Sequence, residues 1–169
     1  MGVTIHFEGQ LKNATAFDDL MNYITRIGTA NTWLTETFEN HHTKLLRVRN
    51  EEDWDYEGPT KGITLYIHED CDPIRLEFDR DLYIQEYVKT QFAGFQIHMK
   101  VIGLLKNLRQ FFNEFEVVDE GEYWETENKI QLVKHLRACD EAIADEARKH
   151  PGAQVKVKDP EGRLIDLLK

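Results

Sequence analysis

The chain has 169 residues, 41% hydrophobic and 31% charged, enough to build a packed core and unlike a disordered tail, a collagen or a disulfide-rich scaffold. Its 31 acidic against 21 basic residues leave a formal net charge of -10, which repels phosphate backbones and anionic lipid heads and excludes a basic footprint for DNA or RNA. Cys71 and Cys139 lack the spacing of a disulfide framework or zinc site and read as reduced thiols, and no stretch approaches the length of an apolar membrane span.

The opening Met1-Gly2-Val3-Thr4-Ile5-His6 has neither the basic segment nor the apolar stretch of an export leader. His6 also stands where an N-myristoylation motif wants Ser or Thr. A cytoplasmic protein without a membrane anchor is expected.

Val3, Ile5 and Phe7 alternate with Thr4, His6 and Glu8, the two-residue period of a half-buried strand, which Gly9 is expected to end. From Thr15 as N-cap, Phe17, Leu20, Met21, Ile24 and Ile27 recur at helical spacing, with Asp18 and Asp19 suiting the helix dipole, so a helix is predicted to near Gly28. Four strand-like runs follow, 33–39, 44–49, 62–68 and 74–79, divided by Asn40-His41-His42, by 50–61 and by 69–73. They read as an antiparallel meander. In the last two, Ile63, Leu65 and Ile67 alternate with Thr64, Tyr66 and His68, and Ile74, Leu76 and Phe78 with Arg75, Glu77 and Asp79.

Residues 82–92 fit neither period well, and Gln85 and Glu86 tip the reading to a short helix. Apolar residues at 97, 101, 104, 108, 111 and 115, with 102, 105 and 112, predict a central helix over 95–115. Glu116–Asp119 reads as a strand, and Thr126 as the cap of a helix that runs to His150 and stops at Pro151-Gly152. The tail reads as strand, Asp159-Pro160-Glu161-Gly162 turn, strand. With no linker or repeat, residues 1–169 are expected to form a single α+β domain. Its predicted architecture is a two-layer sandwich of mainly antiparallel sheet, with a β-α-β4-α core and long helices packed on one sheet face.

The chain contains no serine, which excludes serine nucleophiles in every triad or elbow arrangement. Neither glycine-rich phosphate fingerprint occurs, and Gly58-Pro59-Thr60-Lys61-Gly62 has the wrong spacing for one. Asp53-Trp54-Asp55-Tyr56-Glu57-Gly58 imitates the start of a calcium loop, but Pro59 and Thr64 occupy ligand positions that the loop needs. His68-Glu69-Asp70-Cys71-Asp72 is dense in ligand types, yet neighbours on a strand point to opposite faces. No metal or cofactor is expected. Cys71 could act as a nucleophile only if His68 or His6 lowered its pKa, and an idle thiol is the simpler reading. Cys139 falls on a helical face with Leu136 and Ile143 and reads as core.

Two constellations carry the functional expectations. On the open sheet face, His6, Glu8, Tyr66, His68, Arg75, Glu77 and Asp79 form a mixed donor and acceptor surface, suited to a polar ligand, to acid–base chemistry, or simply to cross-strand ion pairs in water. In the acidic segments, Trp54, Tyr56, Tyr123 and Trp124 could anchor a basic protein partner, or could fold back over core edges. The expectation is a non-enzymatic acidic binding domain that engages a protein partner or a second copy of itself. The rival is a small enzyme or ligand-binding domain around His6, Tyr66, His68 and Arg75, with or without a metal. That rival requires His6, His68 and Arg75 to converge on one enclosed pocket.

Overall fold

Alternation organises the fold from its first strand, Thr4–Leu11 (β1), in which buried Ile5 and Phe7 back onto His6 and Glu8. The structure, a computed structural model, describes residues 2–169. β1 does not end at Gly9. It continues to Leu11 because the bare glycine lets the Glu114 carbonyl come closer than any side chain would allow. Ala14–Asn31 (α1) is capped by Asn13, whose side chain accepts from the Ala16 N–H, and ends at left-handed Thr32. Thr15 is therefore not the cap, and the helix outruns Gly28.

The expected turn at Asn40-His41-His42 is instead the interior of a long strand, Leu34–Leu45 (β2), whose register slips between Asn40 and Thr43. A bulge absorbs the extra residue and the pairing resumes beyond it. Short strands Val48–Arg49 (β3) and Glu52–Asp53 (β4) form a ribbon, followed by Tyr56–Tyr66 (β5) and Ile74–Phe78 (β6).

Residues 82–92 are not a helix. Leu82 takes a left-handed turn conformation, and Tyr83–Lys89 (β7) pairs with β1, matching Val88 to Ile5 and Ile84 to Gly9. A long-range partner thus decided what the local pattern left ambiguous.

Phe95–Leu108 (α2) is also shorter than predicted. A 3₁₀ turn over Arg109–Phe111 leads into Phe112–Asp119 (β8). The register slip opposite Gln10 and Leu11 brings both Phe112 and Phe115 toward the core. Two inward positions three apart imitate a helical period, which is why the segment reads as helix.

Tyr123–Thr126 (α3) precedes Lys129–Lys149 (α4), whose cap is Asn128, accepting from the Gln131 N–H, and not Thr126. Gln154–Lys158 (β9) and Leu164–Leu168 (β10) close the chain as an antiparallel hairpin.

The fold is α+β with antiparallel sheets: β7-β1-β8 and β2-β5-β6, joined in sequence by the turn between β6 and β7. Phe17, Leu20 and Ile24 of α1 and Val101, Ile102 and Leu105 of α2 pack in one core with Ile5, Phe7, Ile63, Leu65, Ile74, Leu76, Phe78, Ile84 and Val88. Burying each such side chain stabilises the fold by about 1.5–3 kcal/mol relative to exposure. α4 makes a smaller cluster, in which Leu132 and Leu136 cover Val3 with Cys139 alongside. α1 and α2 thus pack on the side of the strands that carries Ile5, Phe7, Ile63, Leu65 and Leu76, while His6, Glu8, Arg75 and Glu77 lie on the other.

The terminal hairpin is fastened by buried charge. Asp72 accepts from the N–H groups of Leu164 (2.7 Å) and Lys89 (2.9 Å), and Lys89 reaches Asp166 (3.1 Å). Arg163 meets Glu86 at 2.8 Å. These bonds hold residues 161–163 beside the polar sheet face.

Candidate functional site

The register of β1 lays His6 beside Tyr87 and Val118, and Glu8 beside Gln85 and Glu116. Arg75 and Glu77 project from the same polar side of β6, opposite core-facing Leu76. Together with residues 43–46 of the β2 end and with Glu161 and Arg163 of the terminal hairpin, these residues line an open cleft of about 710 Å³. His6, Glu8, Arg75 and Glu77 are therefore brought together.

Tyr66 and His68 are not. Tyr66 lies at the far end of β5, where its hydroxyl donates to Glu36 (3.2 Å), and burial followed by that carboxylate raises its pKa. His68 lies past the end of β5 and accepts the Asp70 N–H at 3.0 Å, lining a separate depression with Trp33 and Cys71. Asp79 is buried under Arg47 at 2.7 Å. Burial and the neighbouring Asp72 charge push the Cys71 thiol up to about 12, so it stays protonated and is no nucleophile at neutral pH.

The cations of the cleft are spoken for. Arg75 donates to Glu77 (2.9 Å), lies over the Phe38 ring at 4.3 Å, and shares Glu77 with the Thr60 hydroxyl (2.6 Å). Arg163 serves Glu86 and stacks on Tyr87 at 4.2 Å. Burial raises the Glu86 carboxyl above its ordinary range, with Arg163 opposing. Lys44 stands 3.6 Å from Asp55.

The anions are less well matched. Glu8 accepts only from neutral donors, the Tyr83 hydroxyl and Gln85 (3.1 Å). The side chains of Glu116 and Glu161 are exposed and make no hydrogen bond or ion pair among the described residues. Two apolar side chains stand in the same cleft, Leu46 at 78% and Val118 at 63% exposure.

All four aromatic candidates are half-buried. Trp54 meets Tyr83 edge-on at 5.2 Å, with the Arg49 guanidinium 3.4 Å above it and Arg47 at 5.6 Å. The Tyr56 hydroxyl donates to the Pro59 carbonyl (2.8 Å) and accepts the Arg80 N–H (3.2 Å). Tyr123 and Trp124 pack against the main core. Trp54→Ala and Trp124→Ala are accordingly expected to cost about 3 kcal/mol each, the low end for deleting a packed large aromatic, read as a lowered thermal midpoint.

One constellation that sequence reasoning missed is internal. His98 is fully buried, with Nδ1 2.7 Å from the Thr90 hydroxyl and Nε2 3.1 Å from the Asp119 carboxylate. The order hydroxyl, imidazole, carboxylate resembles a nucleophilic triad. Thr90 is also fully buried, however, so the group braces the core and offers a substrate no access. Its signal was present: His98 sits three and four residues before core-facing Val101 and Ile102. Leu46, Glu116, Val118, Glu161 and Arg163 were also missed, because only the joining of the sheets and the hairpin gathers them.

No three His, Cys, Asp or Glu side chains among the described residues are grouped to hold a metal, and none of the described helices is long and apolar enough to cross a membrane. Compared with known proteins, the chain matches no family model, no curated protein and no solved structure.

Proposed function

We propose that the protein is a non-enzymatic binding domain that receives a cationic segment of a protein partner in the cleft across its polar sheet face. The observation that carries this reading is the mismatch of charge: Arg75, Arg163 and Lys44 each have a carboxylate, whereas Glu8, Glu116 and Glu161 have no cation among the described residues. Exposed Leu46 and Val118 add apolar contact beside those free anions. A peptide carrying both lysine or arginine and aliphatic side chains satisfies both features. Acid–base catalysis by the predicted residues would need His68 beside His6 and Arg75, and His68 lies elsewhere. The two free cysteines suit a reducing cytoplasmic setting.

Calorimetric titration with a short Lys/Arg/Leu peptide, and with its Asp/Glu/Leu counterpart, tests the reading. The basic peptide should bind and the acidic one should not. Glu116→Gln combined with Glu161→Gln should weaken binding roughly five- to thirtyfold, as expected for two exposed ion pairs of about 0.5–1 kcal/mol each. Equal binding of both peptides, or indifference to the double substitution, would sink it.

A further inference from the structure

We infer that the cationic segment is the outer face of α4 on a second copy of this chain, an inference that rests on the cleft reading above. α4 buries Leu132, Leu136 and Ile143 on its inner side. Its outer side carries Ile130, which at 83% is the most exposed large hydrophobic residue among those described. Val133, Lys134, Arg137 and Ala138 continue the stripe at helical spacing along a shallow depression. Lys134 and Arg137 are exposed and have no carboxylate partner among the described residues, so α4 offers two free cations beside an exposed aliphatic side chain. The cleft offers the converse, free carboxylates beside exposed Leu46 and Val118.

The two surfaces belong to different parts of the molecule. α4 packs against Val3 and α2, whereas the cleft lies on the polar side of the strands. Both are open on one copy at once, so the contact joins unlike patches and builds either a closed ring or an open chain of copies. Each copy carries a charge of -10, and at low salt this repels a second copy. At physiological ionic strength the screening length is about 8 Å, which removes most long-range repulsion while leaving the contact pairs.

Sedimentation velocity at physiological salt tests the inference with two variants built from exposed positions. In the first, Leu46, Glu116 and Glu161 are changed to Gln, disabling the cleft. In the second, Ile130, Lys134 and Arg137 are changed to Gln, disabling the helix face. The unaltered chain should show an average mass that rises with concentration above that of one chain. Each variant alone should stay at the 19.9 kDa of one chain. Their equimolar mixture keeps one intact contact per pair and should form a species of two chains and nothing larger.

A single species of 19.9 kDa up to about 1 mM, a range that reveals a contact of only about 4 kcal/mol, overturns the inference. So does a mixture of the two variants that does not associate. The helix-face variant, titrated with the free Lys/Arg/Leu peptide, separates the two failures. Peptide binding by that variant, when the unaltered chain does not self-associate, removes α4 as the occupant and keeps the cleft reading, and no peptide binding removes both.

Discussion

Asp119→Ala should lower stability by about 3–5 kcal/mol in urea unfolding, the cost of stripping a buried polar network of its central charge. The Asp119 carboxylate accepts from the N–H groups of Gly121 (2.8 Å), Tyr123 (2.8 Å) and Trp124 (2.9 Å) as well as from His98 (3.1 Å). Alanine would leave these donors in the interior without an acceptor, and each buried orphan costs about 1–3 kcal/mol. The turn that carries Tyr123 and Trp124 onto the core would loosen with it. Asp119→Asn keeps the shape, and it should fall between wild type and alanine.

The same group gives a signed pH dependence. Burial pushes the Asp119 carboxyl up, but the His98 hydrogen bond and charge, with the Trp124 and Gly121 amides, outweigh it and hold the pKa below its ordinary value. A folded pKa below the unfolded one means that the unfolded chain takes up the proton first. The stabilisation is therefore fully present above about pH 4, the unfolded value, and is lost as pH falls through the folded one. Asp72 and Glu86 are shifted upward, chiefly by burial, so their contributions run the other way and fade as pH rises through their folded values. Comparing wild type with Asp119→Asn isolates the first effect: the stability gap should be widest above about pH 4 and narrow as the pH falls through the folded value. A gap that stays constant across that range would show that the carboxylate charge is not what matters.

The parts of the fold legible in the sequence were those in which burial imposes a local period. Ile5 and Phe7 against His6 and Glu8, and Leu76 against Arg75 and Glu77, place the cleft's floor on one side of its strands through alternation alone. Where the determining contact is distant, the local pattern misleads. Ile84 and Val88 become strand residues only because β1, some 80 positions earlier, pairs with them. The register slip at Phe112 produces a false helical spacing, and the one at Asn40 puts a polar His-His pair inside a strand. Tyr66 and His68 show the limit for sites: alternation can assign a face, but not how far along it a residue sits. Glu161 reaches the cleft only because Arg163 and Leu164 dock on Glu86 and Asp72, a contact between segments more than 70 residues apart.

Glycines sharpen the same point, because two that look alike in sequence are expected to respond to alanine with opposite sign. Gly62 lies inside β5, opposite Glu77 on one side and Phe38 on the other. A Cβ at this position would overlap the Leu76 carbonyl oxygen and stand 3.1 Å from the Phe38 ring. The obstructing atom is backbone, so no rotamer change relieves it, and β5 and β6 would have to part where Ile63, Leu65 and Leu76 are fully or almost fully buried. Gly62→Ala is therefore expected to cost more than about 4 kcal/mol, beyond the ordinary range for a point change, and to disturb the cleft through Arg75 and Glu77. Gly103, exposed on α2, has nothing within 4 Å of such a Cβ and takes an ordinary helical conformation. Gly103→Ala should raise stability by about 0.5–1 kcal/mol, through the unfolded chain's lost freedom and the better helix former. Urea midpoints of the two variants, measured side by side, check both signs. A Gly62→Ala protein as stable as wild type would mean that β5 and β6 are not paired in this register.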